Sequence, residues 1–308
     1  MPLVVVAGPT GAGKTAAAIA LAERFDGEII NADSMQVYRY LDIGTAKPGP
    51  IERARTPHHL LDVVDPDTVY SAGRFQRESR AAAADIGSRR RLPLLTGGTG
   101  LYIRACLEGL AEGGAAEPAL RAALEAEAER FAAAGEPERL HARLAALDPE
   151  SAARIHPNDL RRVVRAIEIF ETTGVPASEL RERAAPEPSL LRALYLVLDP
   201  GVEPLDTRID ARAEAMIQAG LLQEVRELRG RGYGPELRPL QAIGYRHLAP
   251  VVDGRDTLVN ALAAMRRDTR RFARRQRTWF RAVREAVWFD PCDRAGIEKA
   301  VEEFLVEA

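Results

Sequence analysis

The sequence predicts an α/β protein: a parallel-sheet core of the P-loop NTPase type, interrupted by an all-helical insertion and followed by a helical C-terminal region. Three observations predict it. Short β-branched runs alternate with helix-patterned segments over residues 1–110. A glycine-rich phosphate-loop motif joins the first run to the first helix. Beyond Gly109 the texture turns alanine-rich, charged and helix-favouring, and strand character returns only at residues 191–198.

Taken in order, residues 3–7 form a β-branched run that stops at Gly8, and residues 15–24 repeat alanine and leucine at helical spacing. Further short apolar runs at 28–32, 60–64 and 92–95 predict strands, with a helix over 75–86 between the last two. The Gly113-Gly114 stretch opens the insertion, expected to end at the Pro186 and Pro188 linker. The expected organisation is a core of residues 1–110 and 189–308 and an insertion of residues 111–188.

The chain has 308 residues, 46% of them hydrophobic, enough for a large core plus a smaller unit. No apolar run reaches the length of a membrane span, and the start MPLVVVAGPT carries no basic leader, so a soluble cytoplasmic protein is expected. Cys106 and Cys292 stand far apart without a histidine cluster, which argues against a disulfide framework or a zinc site. A net charge of −2 excludes nothing by itself, because the arginines are unevenly distributed.

Gly8, Pro9, Thr10, Gly11, Ala12, Gly13, Lys14 and Thr15 match G-x-x-x-x-G-K-[ST] without exception, between a strand and a helix. Glycines let backbone N–H groups curl around phosphate oxygens, Lys14 adds a full positive charge, and Thr15 is placed to hold Mg²⁺. The motif leaves open which phosphate compound it binds. The next strand ends in NADSMQVYRYLDIGTAKP, and Asp33 lies where parallel α/β proteins place their chemistry, although a helix-capping aspartate would look the same. A third strand end carries LLTGGTG, with Thr99 offering a hydroxyl among glycines that permit close backbone approach.

The segments GPTGAGKT, NADSMQVYRYLDIGTAKP, PHHLLDVVDP, YSAGRFQ, LTGGTGLYIRA, HPNDLRRVVRAIE, QAIGYR and RRFARRQRTWFR follow in this order. Together they resemble the tRNA dimethylallyltransferases nearly end to end. The resemblance implies transfer of a dimethylallyl group from dimethylallyl diphosphate to the N6 amine of the adenine 3′ to the anticodon, releasing diphosphate. It implies a P-loop core with a helical insertion gripping the anticodon arm; Mg²⁺ is expected as cofactor from the phosphate-loop chemistry, and a monomer is expected. Carried over by motif, Asp33 is the general base, Thr99 orients the reacting centre, and the phosphate loop holds the diphosphate, helped by Arg208 and Arg212 without distinction between the two. Expected tRNA contacts are Asp33, Ser34, Met35 and Gln36; Arg121 in the insertion; Arg161, Arg162, Val163, Val164 and Arg165; and Gln241, Ala242, Ile243, Gly244, Tyr245 and Arg246. Eukaryotic members often append a zinc finger; no Cys/His ligands for one follow here, so the bacterial type is expected.

The residues suit prenyl transfer. An adenine amine is a poor nucleophile that a nearby carboxylate would assist, and positive charge on the departing diphosphate lowers the barrier. From Arg266 to Arg284 the sequence holds nine arginines and one acid, Asp268, while Leu262, Met265, Phe272, Gln276, Trp279 and Val283 keep a three-four packing spacing. That density without balancing acids predicts phosphate contact, with Arg274 and Arg277 as further tRNA ligands. His58 and His59 read as structural, and Trp288 and Phe289 as core. A P-loop small-molecule kinase, an RNA-binding NTP switch, and a transferase acting on free adenine nucleotide are the alternatives; the first leaves the basic helix without a role.

Overall fold

Residues 3–7 divide between two apolar clusters: Leu3, Val5 and Ala7 belong to one, Val4 and Val6 to the other. A strand buried on both faces is what a parallel sheet covered by helices on both sides demands. The structure, a computed structural model, describes residues 1–110, 117–183 and 191–306. The Gly113-Gly114 stretch and the Pro186 and Pro188 linker lie outside them.

The chain runs β1 (Pro2–Ala7), α1 (Lys14–Arg24), β2 (Gly27–Asn31), α2 (Pro50–Arg55), β3 (His58–His59), α3 (Ala72–Ser88), β4 (Leu92–Gly97) and α4 (Gly100–Glu108). Helices α5 (Pro118–Ala133), α6 (Arg139–Leu147), α7 (Pro149–Arg154), α8 (Leu160–Thr173) and α9 (Ala177–Arg183) follow without a strand among the described residues. Then come β5 (Arg192–Leu198), α10 (Val202–Gln218), α11 (Leu221–Gly230), a short 3₁₀ turn (Arg238–Gln241), α12 (Tyr245–Val252), α13 (Leu258–Arg281), β6 (Ala286–Phe289) and α14 (Arg294–Val306). The chain divides into two compact units, Met1–Glu108 with Ser189–Ala308, and Gly109–Pro188.

In the larger unit six strands pair in the order β3-β2-β4-β1-β5-β6, every pairing parallel. Ile19 and Leu21 of α1 with Ile297 and Val301 of α14 fill one face; Phe75 of α3, Ile103 of α4 and Phe280 of α13 fill the other. Full burial of each such side chain contributes about 1.5–3 kcal/mol. The carboxyl ends of β1, β2 and β4 therefore release three loops, each beginning from backbone held inside the sheet.

Two expectations change here. Residues 60–64 form no strand: Leu60 and Asp62 adopt φ of 61° and 56°, left-handed values that no extended strand accommodates, and only an isolated bridge joins Val64 to Tyr38. Trp288 and Phe289 lie on the terminal strand β6, where Trp288 is 36% exposed and Phe289 packs only in part against the core.

The smaller unit packs Leu124 of α5, Leu140 and Leu144 of α6, and Val163, Val164 and Ile167 of α8 into its own cluster. Buried Asp148 caps α7 through Ser151 N–H at 2.9 Å and also accepts from the N–H and hydroxyl of Ser178 at 2.9 and 2.6 Å. Burial pushes its carboxyl up, but these donors outweigh it and hold the pKa at about 2.

Candidate active site

The chain leaves β1 at Gly8, where φ is 144° and a Cβ would stand 2.3 Å from the Leu198 carbonyl oxygen. Glycine alone fits that approach. The loop then closes on Lys14, the first residue of α1, whose Nζ donates to the Pro9 carbonyl at 2.8 Å. Burial pushes the Lys14 pKa down to about 8; Asp33 pulls it up and Arg212 pushes it down further. Arg212 is held below the usual arginine value by burial, with Asp33 opposing. Arg212 Nη1 also reaches the Thr10 hydroxyl at 3.5 Å. Of the two arginines expected near the diphosphate, α10 thus presents Arg212 to the loop and leaves Arg208 exposed. Two desolvated cations facing one carboxylate leave an excess of positive charge, a site for an anion.

Asp33 is set in place by buried Asn31 at the end of β2. Asn31 Oδ1 accepts from the Asp33 N–H at 3.0 Å, while its Nδ2 donates to the carbonyls of Asp33 and Leu60 at 3.2 and 3.0 Å. Asp33 Oδ1 accepts from Met35 N–H at 2.9 Å, and Oδ2 has no hydrogen-bond partner among the described residues. Thr99 ties in the third loop: its hydroxyl accepts from Ser34 N–H at 3.0 Å and lies 3.3 Å from Ser34 Oγ, while its N–H donates to Ala32 O. The Asp33 segment and Thr99 are thereby joined, as their places at two strand ends imply. Asn31 escaped the sequence reading, although an Asx residue two before a functional aspartate is a recognisable turn signal.

Beyond Met35, Gln36 Nε2 donates to the carbonyls of Thr45 and Ala46 at 3.0 and 3.2 Å. That loop is gripped by Glu224 of α11, which accepts from the N–H groups of Asp42, Ile43 and Gly44. The Tyr245 hydroxyl donates to Glu224 at 2.6 Å, and Tyr245 is 1% exposed. The expected tRNA residue Tyr245 is therefore a buried strut whose phenol turns away from solvent. Val163 and Val164, each 1% exposed, are likewise core residues of the smaller unit. A run carried over as a block includes inward positions, because a helix shows one face only every third or fourth residue. Of the rest, Gln241 and Arg246 are exposed, Ala242 and Ile243 partly buried, and Gly244 buried at the start of α12.

Helix α13 alters the expectation for the arginines. Arg266, Arg270 and Arg274 pair with Glu214, Asp210 and Asp206 along one edge of α10, and Arg277 pairs with Asp199 at 2.7 Å. The balancing acids missing from the local sequence are supplied by another helix. Arg277, 14% exposed at its side chain, is engaged inside the fold, and Arg274 is partnered at 3.1 Å. The outward face belongs to Arg267, Arg271 and Arg275, all exposed; the first two stand 3.6 and 3.9 Å from Asp268, which Arg246 holds more closely at 2.6 Å. The packing stripe is also rotated: Ala261, Met265, Ala273, Gln276 and Phe280 are buried, while Phe272 and Trp279 are 37% and 40% exposed. Both sets satisfy three-four spacing, so spacing could not choose between them.

In the smaller unit Arg161 and Arg162 are exposed at the start of α8. Arg121 and Arg165 converge at 2.7 and 2.8 Å on Glu168, whose side chain is fully buried. No helix among the described residues is long and apolar enough to cross a membrane.

The IPP transferase family matches residues 36–283, and the isopentenyl transferase family residues 1–64. The tRNA dimethylallyltransferase of Desulfosudis oleivorans is 49% identical over 305 residues, covering 99% of this chain and 95% of that protein. That of Anaeromyxobacter dehalogenans is 50% identical over 304 residues, covering 98% and 100%. Among solved structures, the tRNA isopentenylpyrophosphate transferase of Bacillus halodurans superposes with a TM-score of 0.73 at 37% identity, covering 99% and 97% of the two chains. A eukaryotic dimethylallyltransferase caught acting on tRNA gives 0.80 at 30% identity, covering 99% of this chain and 77% of that one.

Proposed function

The chain belongs to the IPP transferase family, and we propose that it transfers the dimethylallyl group of dimethylallyl diphosphate to the N6 amine of the adenine 3′ to the anticodon of tRNA. The observation that carries this reading is Asp33: a carboxylate with a free Oδ2, coupled electrostatically to Lys14 and Arg212 of the anion cradle. A cradle alone serves any phosphate compound. A cradle with an open carboxylate also serves a reaction in which an anion leaves and a proton must be taken up.

In that reaction the allylic C–O bond breaks, the N6–C bond forms, and the N6 proton passes to Asp33 Oδ2. Negative charge gathers on the departing diphosphate, where loop N–H groups, Lys14 and Arg212 lower its energy. Thr99, by holding Ser34, keeps the Asp33 segment in register with the loop after β4. Arg208, exposed on α10, makes no contact with the phosphate loop among the described residues. Thr15, the second residue of α1, suits a Mg²⁺ held chiefly by phosphate oxygens and water, since no group of three or more His, Cys, Asp or Glu gathers for a metal among the described residues. The ion would add positive charge to the leaving group.

A stacked adenine cannot reach such a site, so the base is extruded from the anticodon loop. Backbone phosphates are met by Arg161 and Arg162, by Arg121 and Arg165 as positioned by Glu168, and by Arg267, Arg271 and Arg275. The protein works as a cytoplasmic monomer. Incubation with unmodified tRNA, dimethylallyl diphosphate and Mg²⁺ should add one dimethylallyl mass to a single adenine, with ATP and AMP unmodified as acceptors. Phosphoryl transfer from ATP, or prenylation of AMP in preference to tRNA, would overturn the assignment.

A further inference from the structure

Helix α13 reaches the candidate active site through one polar side chain. Gln276 is 7% exposed; its Oε1 accepts from the Thr10 N–H at 2.9 Å and its Nε2 donates to the Gly98 carbonyl at 2.8 Å. Thr10 belongs to the phosphate loop and contacts Arg212 through its hydroxyl, while Gly98 immediately precedes Thr99. A Cβ at Gly98 would stand 2.3 Å from Gln276 Nε2, so the glycine is what lets the amide seat. Three loops meet through this chain of contacts: Gln276 joins the first to the third, and Thr99 joins the third to the Asp33 segment.

We infer that Gln276 is a positioning residue that fixes the spacing between the diphosphate cradle and the segment carrying the proton acceptor. The inference rests on the prenyl-transfer reading and deepens it. A buried amide used merely to attach α13 could end on any backbone groups. Here both ends fall on the two loops whose separation sets the distance from leaving group to acceptor. Only glutamine, or an acid kept neutral, supplies an acceptor and a donor at this reach; a carboxylate accepts from Thr10 but repels the Gly98 carbonyl.

Single-turnover transfer at saturating tRNA and donor tests this, with folding checked by circular dichroism and thermal melt. Gln276→Met, similar in volume and without hydrogen bonds, should lower the transfer rate roughly ten- to a hundredfold, the scale of a small misplacement of reacting groups, with tRNA affinity within about twofold of wild type. Gln276→Glu should regain activity relative to wild type as pH falls, because its protonated form restores both bonds. Lys14, Arg212 and Asp33 face the same loops and sense a charge placed at position 276, so Gln276→Met, which adds none, is the control whose ratio to wild type should stay flat with pH. A Gln276→Glu ratio flat with pH, or variants that transfer at the wild-type rate and lose only melting temperature, would reduce Gln276 to a packing residue. Should Gln276→Met fail to fold, the pH ratio of Gln276→Glu still decides. An inactive wild type would instead remove the prenyl-transfer reading, and this inference with it.

Discussion

Strand β2 carries a charge cluster at each end, and the two are built on opposite plans. Near its start, Glu28 is 2% exposed and every direction around its carboxylate is answered: Arg89 and Arg91 on Oε1, Arg89 and His59 on Oε2. Hydrogen bonding to Arg89 above all, against the opposing effect of burial, holds its carboxyl well below the usual range. Just beyond its end, Asp33 receives one backbone N–H and keeps Oδ2 open, while burial pushes the nearby Lys14 and Arg212 down. The first cluster is complete within the protein. The second is left for a ligand to complete, and incomplete satisfaction of buried charge marks a functional site more reliably than charge itself.

That contrast can be broken most sharply at Asp33. Asp33→Asn keeps shape but cannot take a proton, so transfer should fall roughly a hundredfold to ten-thousandfold while the melting temperature holds. Near wild-type turnover in a folded Asp33→Asn protein would end the proton-acceptor role, and rescue by high Mg²⁺ would move Asp33 to the metal.

Glu28→Gln should do the reverse, costing about 1.5–3 kcal/mol of stability through the lost charged hydrogen bonds, since Arg89 and Arg91 keep Asp85 and Asp26, with the rate per folded molecule unchanged. Since the folded-state pKa of Glu28 lies below the ordinary value of 4.5, its contribution is complete above that value and drains away as pH falls below it. Denaturant melts from pH 7 to 3 should draw together for wild type and variant as pH falls below 4.5, without meeting, because the folded-state pKa lies below this window. Parallel curves would deny the network its stabilising role.

Lys14→Ala should weaken inorganic diphosphate binding and slow transfer together, each on the order of a hundredfold, without loss of stability. Its pKa of about 8 makes wild-type affinity for the anion decline as pH rises past that value, a decline the variant lacks. The sign for folding is opposite: a lowered lysine pKa means the charged form strains the empty protein, so stability rises between about 8 and the ordinary 10.5. Calorimetric titration with diphosphate across this range reads the first effect, and thermal melts the second.

The smallest effect divides α13 by the same principle. Replacing Arg271 and Arg275 by alanine should reduce the slope of log tRNA affinity against log salt by about one per lost phosphate contact. Replacing Arg274 and Arg277 should leave the slope nearly unchanged, because Asp206 and Asp199 hold them at 3.1 and 2.7 Å, whereas Arg271 stands 3.9 Å from Asp268. Equal slopes in both double variants would erase the distinction.

Most of the core and the centre of the site were legible because their signals are local. A phosphate loop needs its glycines and lysine in one contiguous stretch, and strands β1, β2, β4 and β5 announce themselves by apolar runs. What stayed hidden depends on partners far along the chain. Glu224 has no motif of its own, and Gln276 stands in the basic motif of α13 without a role legible there; each takes its role from backbone groups far along the chain, Glu224 holding residues 42–44 and Gln276 holding Gly98. The arginines of α13 misled for the same reason, since the acids opposing them lie on α10.

By itself, then, the sequence determined that strand, phosphate loop and helix would follow one another, that Lys14, Asp33 and Thr99 would stand at strand ends, and which family the motifs resemble. Backbone preference, apolar alternation and loop chemistry act over a few residues, and so they can be read from a few residues. Tertiary structure decided that Arg212 rather than Arg208 meets the phosphate loop, that Tyr245 is buried, and which arginines of α13 are held by acids of other elements. Those outcomes depend on which helix faces are brought together, and ion pairing and desolvation become definite only once two such faces meet.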